Sequence, residues 1–412
     1  MEVISRDSGS YDMIGRWFDY APIHEIKRDN VRDLLAYGFG YRPSSHFDAA
    51  GEGAVPDILL REIESVWGNP YGEGRNADLK YMAHLDEPLR ALPKPLAWYA
   101  LAEGLGGVKH AVLAAAGFAC ERQGGFTYYT YRLPARGAAS PAAAAAHAAA
   151  PPLVFCHGVG LGLLPYVQFV LKLAALGRPV VAVEWPHLAM RWSTFIPTVD
   201  EVRTCVCCAG AILGILDAHA IPRAALVGHS FGTFFMSRLQ RTAPHRVAAM
   251  AFLDPVCMCM WSGHLIRSFV YRPAATKGGL VTWAISRDIH TAAAVARNFF
   301  WSEYNMWPAD FPAHSLVVLS AKDDLVPFRH VSSMVLHETA AALLVSPEDK
   351  HAGFLFNPTF QAKVVAGVHD LLEASSGAGG AAKRKSASPS ASASAGDVSA
   401  FGVGGFTPGG GA

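Results

Sequence analysis

Between Leu153 and Val345 the chain repeats one pattern: a short run of apolar residues followed by a longer stretch at helical spacing. The runs are Leu153–Cys156, Pro179–Val183, Ala224–Val227, Val247–Leu253, Leu316–Leu319 and Ala342–Val345. Runs so short and without alternating polar positions predict strands buried on both faces, which pair in parallel when helices connect them. The helical stretches lie near Pro165–Leu176, Val199–Ala220, Phe231–Arg241 and Arg329–Glu338, and a closing helix is expected over Pro358–Leu372. This alternation predicts an α/β fold with a doubly wound, mostly parallel sheet. Phe126–Leu133, rich in aromatic residues and Thr and stopped by Pro134, adds a further strand.

Other compositions frame this core. Residues 1–118 read as an N-terminal helical region. Asn30 is placed to cap a segment in which Val31, Leu34 and Leu35 share a face before Gly38 ends it. After Pro56, Leu59, Ile63, Val66 and Trp67 recur at helical spacing up to Gly68. Pro95–Phe118 is the one serious membrane candidate, but it carries Glu103, Lys109 and His110. A central charge costs about 2.5–3.5 kcal/mol on the insertion scale while each Leu or Val returns only about 0.3–0.6, so spanning is not expected. Lying on a membrane surface and packing on the main domain both stay open. The main domain is expected over 119–372, with a low-complexity Ala-rich surface loop at 135–152. From 373 to 412 the chain is Gly, Ala and Ser, too poor in bulky apolar groups to offset ordering entropy, and a disordered tail is expected. Its Lys383-Arg384-Lys385 triplet reads as a solvated charge run.

A hydrophobic content of 51% in 412 residues is enough for a large core. The net charge of +1 provides no field for nucleic acid or an anionic membrane, and no nucleic-acid partner is expected. The seven cysteines lack disulfide spacing, so they read as reduced, and nothing near Cys205, Cys207 and Cys208 completes a zinc tetrad. Without a secretory or transit signature at the N-terminus, a cytoplasmic location is the default. Oligomeric state is not legible.

The sharpest chemical feature is Gly228-His229-Ser230-Phe231-Gly232, a G-x-S-x-G motif where a predicted strand meets a predicted helix. A tight turn there lifts the Ser230 hydroxyl above the sheet, and glycines on either side leave room for close packing. A hydroxyl needs a base, and the base needs an orienting acid. Asp323 and Asp324 follow the Leu316–Leu319 strand, and His351 follows the next one, so the order is Ser, Asp, His. The form D-x-L-V-P favours Asp323, with Asp324 and then Asp254 as alternatives. His337 and His369 fall within predicted helices and read as surface or packing residues. An oxyanion needs backbone donors, and the Gly-rich Cys156-His157-Gly158-Val159-Gly160 after an earlier strand brings them close. The N–H groups of Val159 and Phe231 are assigned to that hole, with His157 bracing the loop.

His157-Gly158, the Ser230 motif, the Asp323-Asp324-Leu325-Val326-Pro327 loop and His351 together resemble the α/β-hydrolase superfamily, over roughly Gly125–Leu372. The resemblance implies an eight-stranded, mostly parallel sheet and a triad of Ser230, His351 and Asp323. It also implies an acyl-serine intermediate cleared by water, and neither a metal nor an organic cofactor. Serine at the elbow, where the dehalogenase and epoxide-hydrolase branches carry Asp, points toward ester, thioester or amide cleavage.

Residues 255–312 lie where such folds carry a lid, and they hold Trp261, Trp283, Phe299, Phe300, Trp301 and Trp307. These aromatics either line an acyl pocket or join the lid's helices. The leading expectation is a serine hydrolase acting on an ester of an apolar or lipid-like acyl group, with membrane contact as an added option. An acyltransferase using the same acyl-enzyme and a noncatalytic ligand-binding protein on the same fold are the alternatives. His24 and Asp29 form an H-x-x-x-x-D pattern used by some acyltransferases, but it lies far outside the hydrolase segment and reads as chance.

Overall fold

The apolar runs pair into one eight-stranded sheet in the computed structural model, which describes residues 10–67, 71–123, 125–137, 140–192, 206–274, 279–297 and 299–376. The strands are β1 (Ala119–Gln123), β2 (Phe126–Tyr131), β3 (Leu153–Cys156), β4 (Val180–Glu184), β5 (Ala224–His229), β6 (Val247–Leu253), β7 (Ser315–Ser320) and β8 (Ala342–Ser346). Their order is β1-β2-β4-β3-β5-β6-β7-β8, antiparallel at β1–β2 and β2–β4 and parallel elsewhere. Alternate residues of the central strands enter different cores: Val154, Cys156 and Leu226 one, Leu153, Phe155 and Val227 the other. Burial on both faces is why these strands read as unbroken apolar runs. β1 has no such run; its sequence ACERQ is mostly exposed at the sheet edge.

Among the described residues five α-helices precede the sheet: α1 (Ser10–Trp17), α2 (Arg28–Gly40), α3 (Ser44–Ala49), α4 (Ala54–Trp67) and α5 (Leu96–Ala115). Asn30 is not the cap of α2 but lies one turn inside it, where its side chain accepts the Lys27 N–H at 3.2 Å. The helix also runs through Gly38, where an added Cβ would lie 3.1 Å from the Trp301 ring. A left-handed Tyr41 ends it instead.

No helix among the described residues is long and apolar enough to cross a membrane. On α5, Lys109 is buried in an ion pair with Glu184 of β4, and the part-exposed Glu103 takes Arg191 at 2.5 Å. The helix packs on the main domain and leaves Leu101, Val108 and Val112 exposed on its other side.

The Ala-rich segment expected as loop contains the helix α6 (Pro141–Ala149). Ser140 caps it by accepting the Ala143 N–H at 3.2 Å, Pro141 is pre-set for the first turn, and alanine has the best helix propensity. Then come α7 (Val167–Ala174), α8 (Val206–Ala218) and α9 (Gly232–Thr242). Residues 199–205 of the expected helix lie outside the described residues, as do Gly68 and 377–412, including the basic triplet. Between β6 and β7 stand α10 (Leu280–Ser286), α11 (Ile289–Ala296) and α12 (Trp301–Tyr304), followed after β7 by α13 (Phe328–Glu338) and finally α14 (Pro358–Ser375). The last helix continues past Leu372, where a disordered tail was expected to begin, because Leu371, Leu372 and Ser375 are buried.

The N-terminal region fastens onto the 255–312 segment. The Trp17 indole N–H donates to the Trp261 carbonyl at 2.8 Å, and the Arg297 guanidinium donates to the carbonyls of His84 and Leu85, each at 3.1 Å.

Candidate active site

β5 ends at His229 and α9 begins at Gly232, so the whole turn is Ser230 and Phe231. Ser230 has φ +52°, a left-handed conformation that costs a non-glycine residue about 1–3 kcal/mol and needs a rigid surround. That surround is visible: the Ser230 N–H donates to the Leu253 carbonyl at 3.0 Å, and the Thr233 hydroxyl donates to the Ser230 carbonyl at 2.6 Å. The two motif glycines are steric requirements. A Cβ on Gly232 would lie 2.2 Å from the Cys156 carbonyl oxygen, and one on Gly228 would lie 2.2 Å from the Met236 sulfur.

The His351 Nε2 is 2.8 Å from the Ser230 Oγ, and its Nδ1 is 2.7 Å from the Asp323 Oδ2. With Nδ1–H donating to the carboxylate, Nε2 is left to accept the serine proton. The second oxygen of Asp323 accepts the N–H groups of Leu325 at 2.7 Å and Val326 at 3.0 Å. The Leu-Val pair therefore turns the acid so that one oxygen is reserved for the imidazole. Asp324 is half-exposed and pairs with Arg272 at 2.5 Å. His337 and His369 are exposed on α13 and α14.

Burial pulls the His351 imidazole down, but Asp323 outweighs it with help from Asp254 and Asp324, and the pKa is pushed up to about 9. A protonated imidazole cannot act as a base. The rate constant kcat/KM should therefore climb about tenfold per unit of pH up to roughly 9 and then level, with pH 7 near ~1% of the plateau. A pH–rate profile already flat from pH 6 would contradict this.

His157 is fully buried and braces the neighbouring loop: Nδ1–H donates to the Gly158 carbonyl at 2.6 Å, and Nε2 accepts the Trp185 N–H at 3.0 Å. Burial holds its pKa near 4, so it stays neutral. Gly158 comes so close to Ser230 that an added Cβ would lie 2.8 Å from the serine Cβ.

Ser230 opens on a narrow apolar cavity that Val159 and Phe231, the two assigned oxyanion donors, also line. Every other lining residue is apolar, among them Phe234, Leu265, Phe269, Val295 and Phe299. Of the six aromatics read in the 255–312 segment, Phe299 faces this cavity, whereas Phe300 packs on Tyr41 and Trp301 on Trp17. Leu265, Phe269 and Val295 were not read from sequence. Nothing in their spacing separates a cavity wall from ordinary core.

The ligand-capable atoms of His229, Asp254 and His351 lie within 4.8 Å of one another. Both His351 nitrogens are engaged by Ser230 and Asp323, and Asp254 already accepts from the Ser320 and Ala352 backbones. Two of the three residues are thus committed to hydrogen bonds within the protein.

Residues 151–275 match the family model described as alpha/beta hydrolase fold. A non-heme haloperoxidase named in Mycobacterium phage D29 is 33% identical over 103 residues, 25% of this chain. The match spans about a third of that relative's length, 35%. Among solved structures, a bacterial membrane phospholipase A is similar at 16% identity and a TM-score of 0.43, over 67% of this chain and 94% of its own. A 2-hydroxy-6-oxo-6-phenylhexa-2,4-dienoate hydrolase from Rhodococcus sp. strain RHA1 is similar at 19% identity and a TM-score of 0.42, over 61% and 98%. A structure described with carboxylesterases of Nitrososphaera gargenis is similar at 14% identity and a TM-score of 0.41, over 62% and 98%. With its strands in this order and the matched segment spanning β3 to β6 around the Ser230 turn, the chain has the α/β-hydrolase fold.

Proposed function

We propose that this chain is a serine hydrolase that cleaves carboxylic esters of apolar, lipid-like acyl groups. One observation carries the reading: the hydrogen-bonded series Ser230–His351–Asp323 opens on a cavity whose remaining walls are apolar. In this reading the Ser230 Oγ attacks the ester carbonyl as its proton passes to His351 Nε2, while Asp323 holds Nδ1–H and stabilises the imidazolium. The N–H groups of Val159 and Phe231 receive the oxyanion. His351 then protonates the departing alkoxide, and water, deprotonated by the same imidazole, releases the acid and restores the serine. Walls without polar groups favour an acyl chain because each buried methylene contributes about 0.8 kcal/mol, or roughly fourfold.

A panel of p-nitrophenyl esters tests the substrate class. At or above pH 8, kcat/KM should rise at least about tenfold from acetate to hexanoate, and Val295→Trp should move the preferred chain to a shorter one. A flat or falling series sinks the apolar-acyl assignment. In a second arm the same acyl groups are presented in phospholipid vesicles. The outer face of α5, where Leu101, Val108 and Val112 are exposed, is the surface assigned to lipid. Leu101→Glu with Val108→Glu should depress the vesicle arm alone, and equal rates in both arms would remove lipid contact from the proposal.

A further inference from the structure

Asp254 is a buried carboxylate that the reaction above does not use. It follows β6 with φ +42° and is 1% exposed. Its Oδ1 accepts the N–H of Ser320, the last residue of β7, at 2.9 Å. Its Oδ2 accepts the N–H of Ala352 at 2.8 Å and the Ser320 hydroxyl at 3.2 Å. Ser320 stands three residues before Asp323, and Ala352 directly follows His351 in a left-handed conformation of φ +64°. One carboxylate thus holds the loop that carries the acid and the loop that carries the base.

The other side of Asp254 leads toward the nucleophile and the Gly-rich loop. Its Oδ2 lies 3.9 Å from Nε2 of His229, the residue before Ser230. The Tyr166 Oη is 2.6 Å from His229 Nδ1 and accepts the Gly158 N–H at 3.2 Å. The Tyr166 hydroxyl, which accepts that N–H, can donate its own proton to His229 Nδ1, and in that tautomer the His229 proton sits on Nε2, 3.9 Å from Asp254. A buried polar series therefore runs behind the triad from Gly158 through Tyr166, His229 and Asp254 to Ser320 and Ala352. The titratable groups facing Asp254 are His229, His351, Asp323 and Tyr166. Burial, then His351 and His157, keeps His229 neutral.

We propose that Asp254 is a positioning residue for the hydrolysis: it fixes the backbones beside Asp323 and His351, and its charge favours the imidazolium that forms when Ser230 attacks. The proposal rests on the Ser230–His351–Asp323 reading. A shift of even about 1 Å at a base can cost on the order of a hundredfold, so the effect belongs in kcat, not in substrate affinity. The donor pattern demands a carboxylate, since an amide would turn an N–H toward either Ser320 N–H or Ala352 N–H.

The test is Asp254→Asn in the full chain, with folding checked by circular dichroism and thermal melting. Expected are a kcat about 30- to 100-fold lower, KM changed less than threefold, and an acid limb of the kcat/KM profile displaced to lower pH. A folded variant with unchanged kcat and an unmoved acid limb overturns the proposal. If Asp254→Asn does not fold, Ser320→Ala takes its place. It removes one of three donors to the same carboxylate and should lower kcat about threefold at constant KM; an unchanged kcat again overturns the proposal. Labelling by a fluorophosphonate separates the two levels of failure. Wild type that labels at Ser230 beside an unimpaired Asp254→Asn condemns only the positioning role, whereas wild type that does not label condemns the hydrolase reading on which it rests.

Discussion

Ser230→Ala and His351→Ala each lower kcat/KM by about 10⁵-fold or more, and the double variant loses no more than the worse single one. The non-additivity follows from the geometry. The serine proton has one acceptor, Nε2 at 2.8 Å, so a hydroxyl without the imidazole and an imidazole without the hydroxyl are equally idle. The residual rate comes from the loop donors and the cavity, which neither substitution touches. Steady-state kinetics on a hexanoyl ester with all three variants checks this. Losses that multiplied in the double variant would mean that the two side chains act in separate steps.

Asp323→Asn lowers kcat about 10⁴-fold, while Asp324→Asn changes it less than threefold. In Asp323→Asn the N–H groups of Leu325 and Val326, which donate to residue 323, still need an oxygen, which turns the new amide nitrogen toward Nδ1. An N–H donor there forces the imidazole proton onto Nε2, and the base loses its acceptor site. Asp324 touches none of this; it is half-exposed and its partner is Arg272. Equal losses in the two variants would contradict the assignment of the acid.

The sheet was legible wherever strands were buried on both faces, because Leu153–Cys156 or Val247–Leu253 cannot be anything but interior. β1 was illegible for the opposite reason: an exposed edge strand of Ala, Cys, Glu, Arg and Gln has no hydrophobic signature. The Ala-rich insertion looked like a loop by complexity, yet complexity is silent about helix propensity, and Ser140 with Pro141 supplied the start that nine alanine-rich residues needed. Asn30 shows the limit of capping rules, since the same side chain serves from inside the first turn as well as from the cap. At the site, the spacing of Asp323, Leu325 and Val326 carried information that only geometry decodes: the two following N–H groups occupy one carboxylate oxygen. The cavity walls were hidden because they come from 255–312 and from Phe234, whose apolar residues look the same whether they face a void or a neighbour. Asp254 read only as a third choice for the acid, and only the fold brings it under two loops far away in sequence.

The central claim is that Ser230 is a nucleophile made reactive by His351. Incubating the full chain with a fluorophosphonate above pH 8 and mapping the adduct by mass spectrometry tests it most directly. The account predicts one stoichiometric phosphonyl group on Ser230 in wild type, at least about a hundredfold slower labelling in His351→Ala, and none in Ser230→Ala. Folded wild-type protein that stays unlabelled, or that labels equally fast without His351, would contradict it.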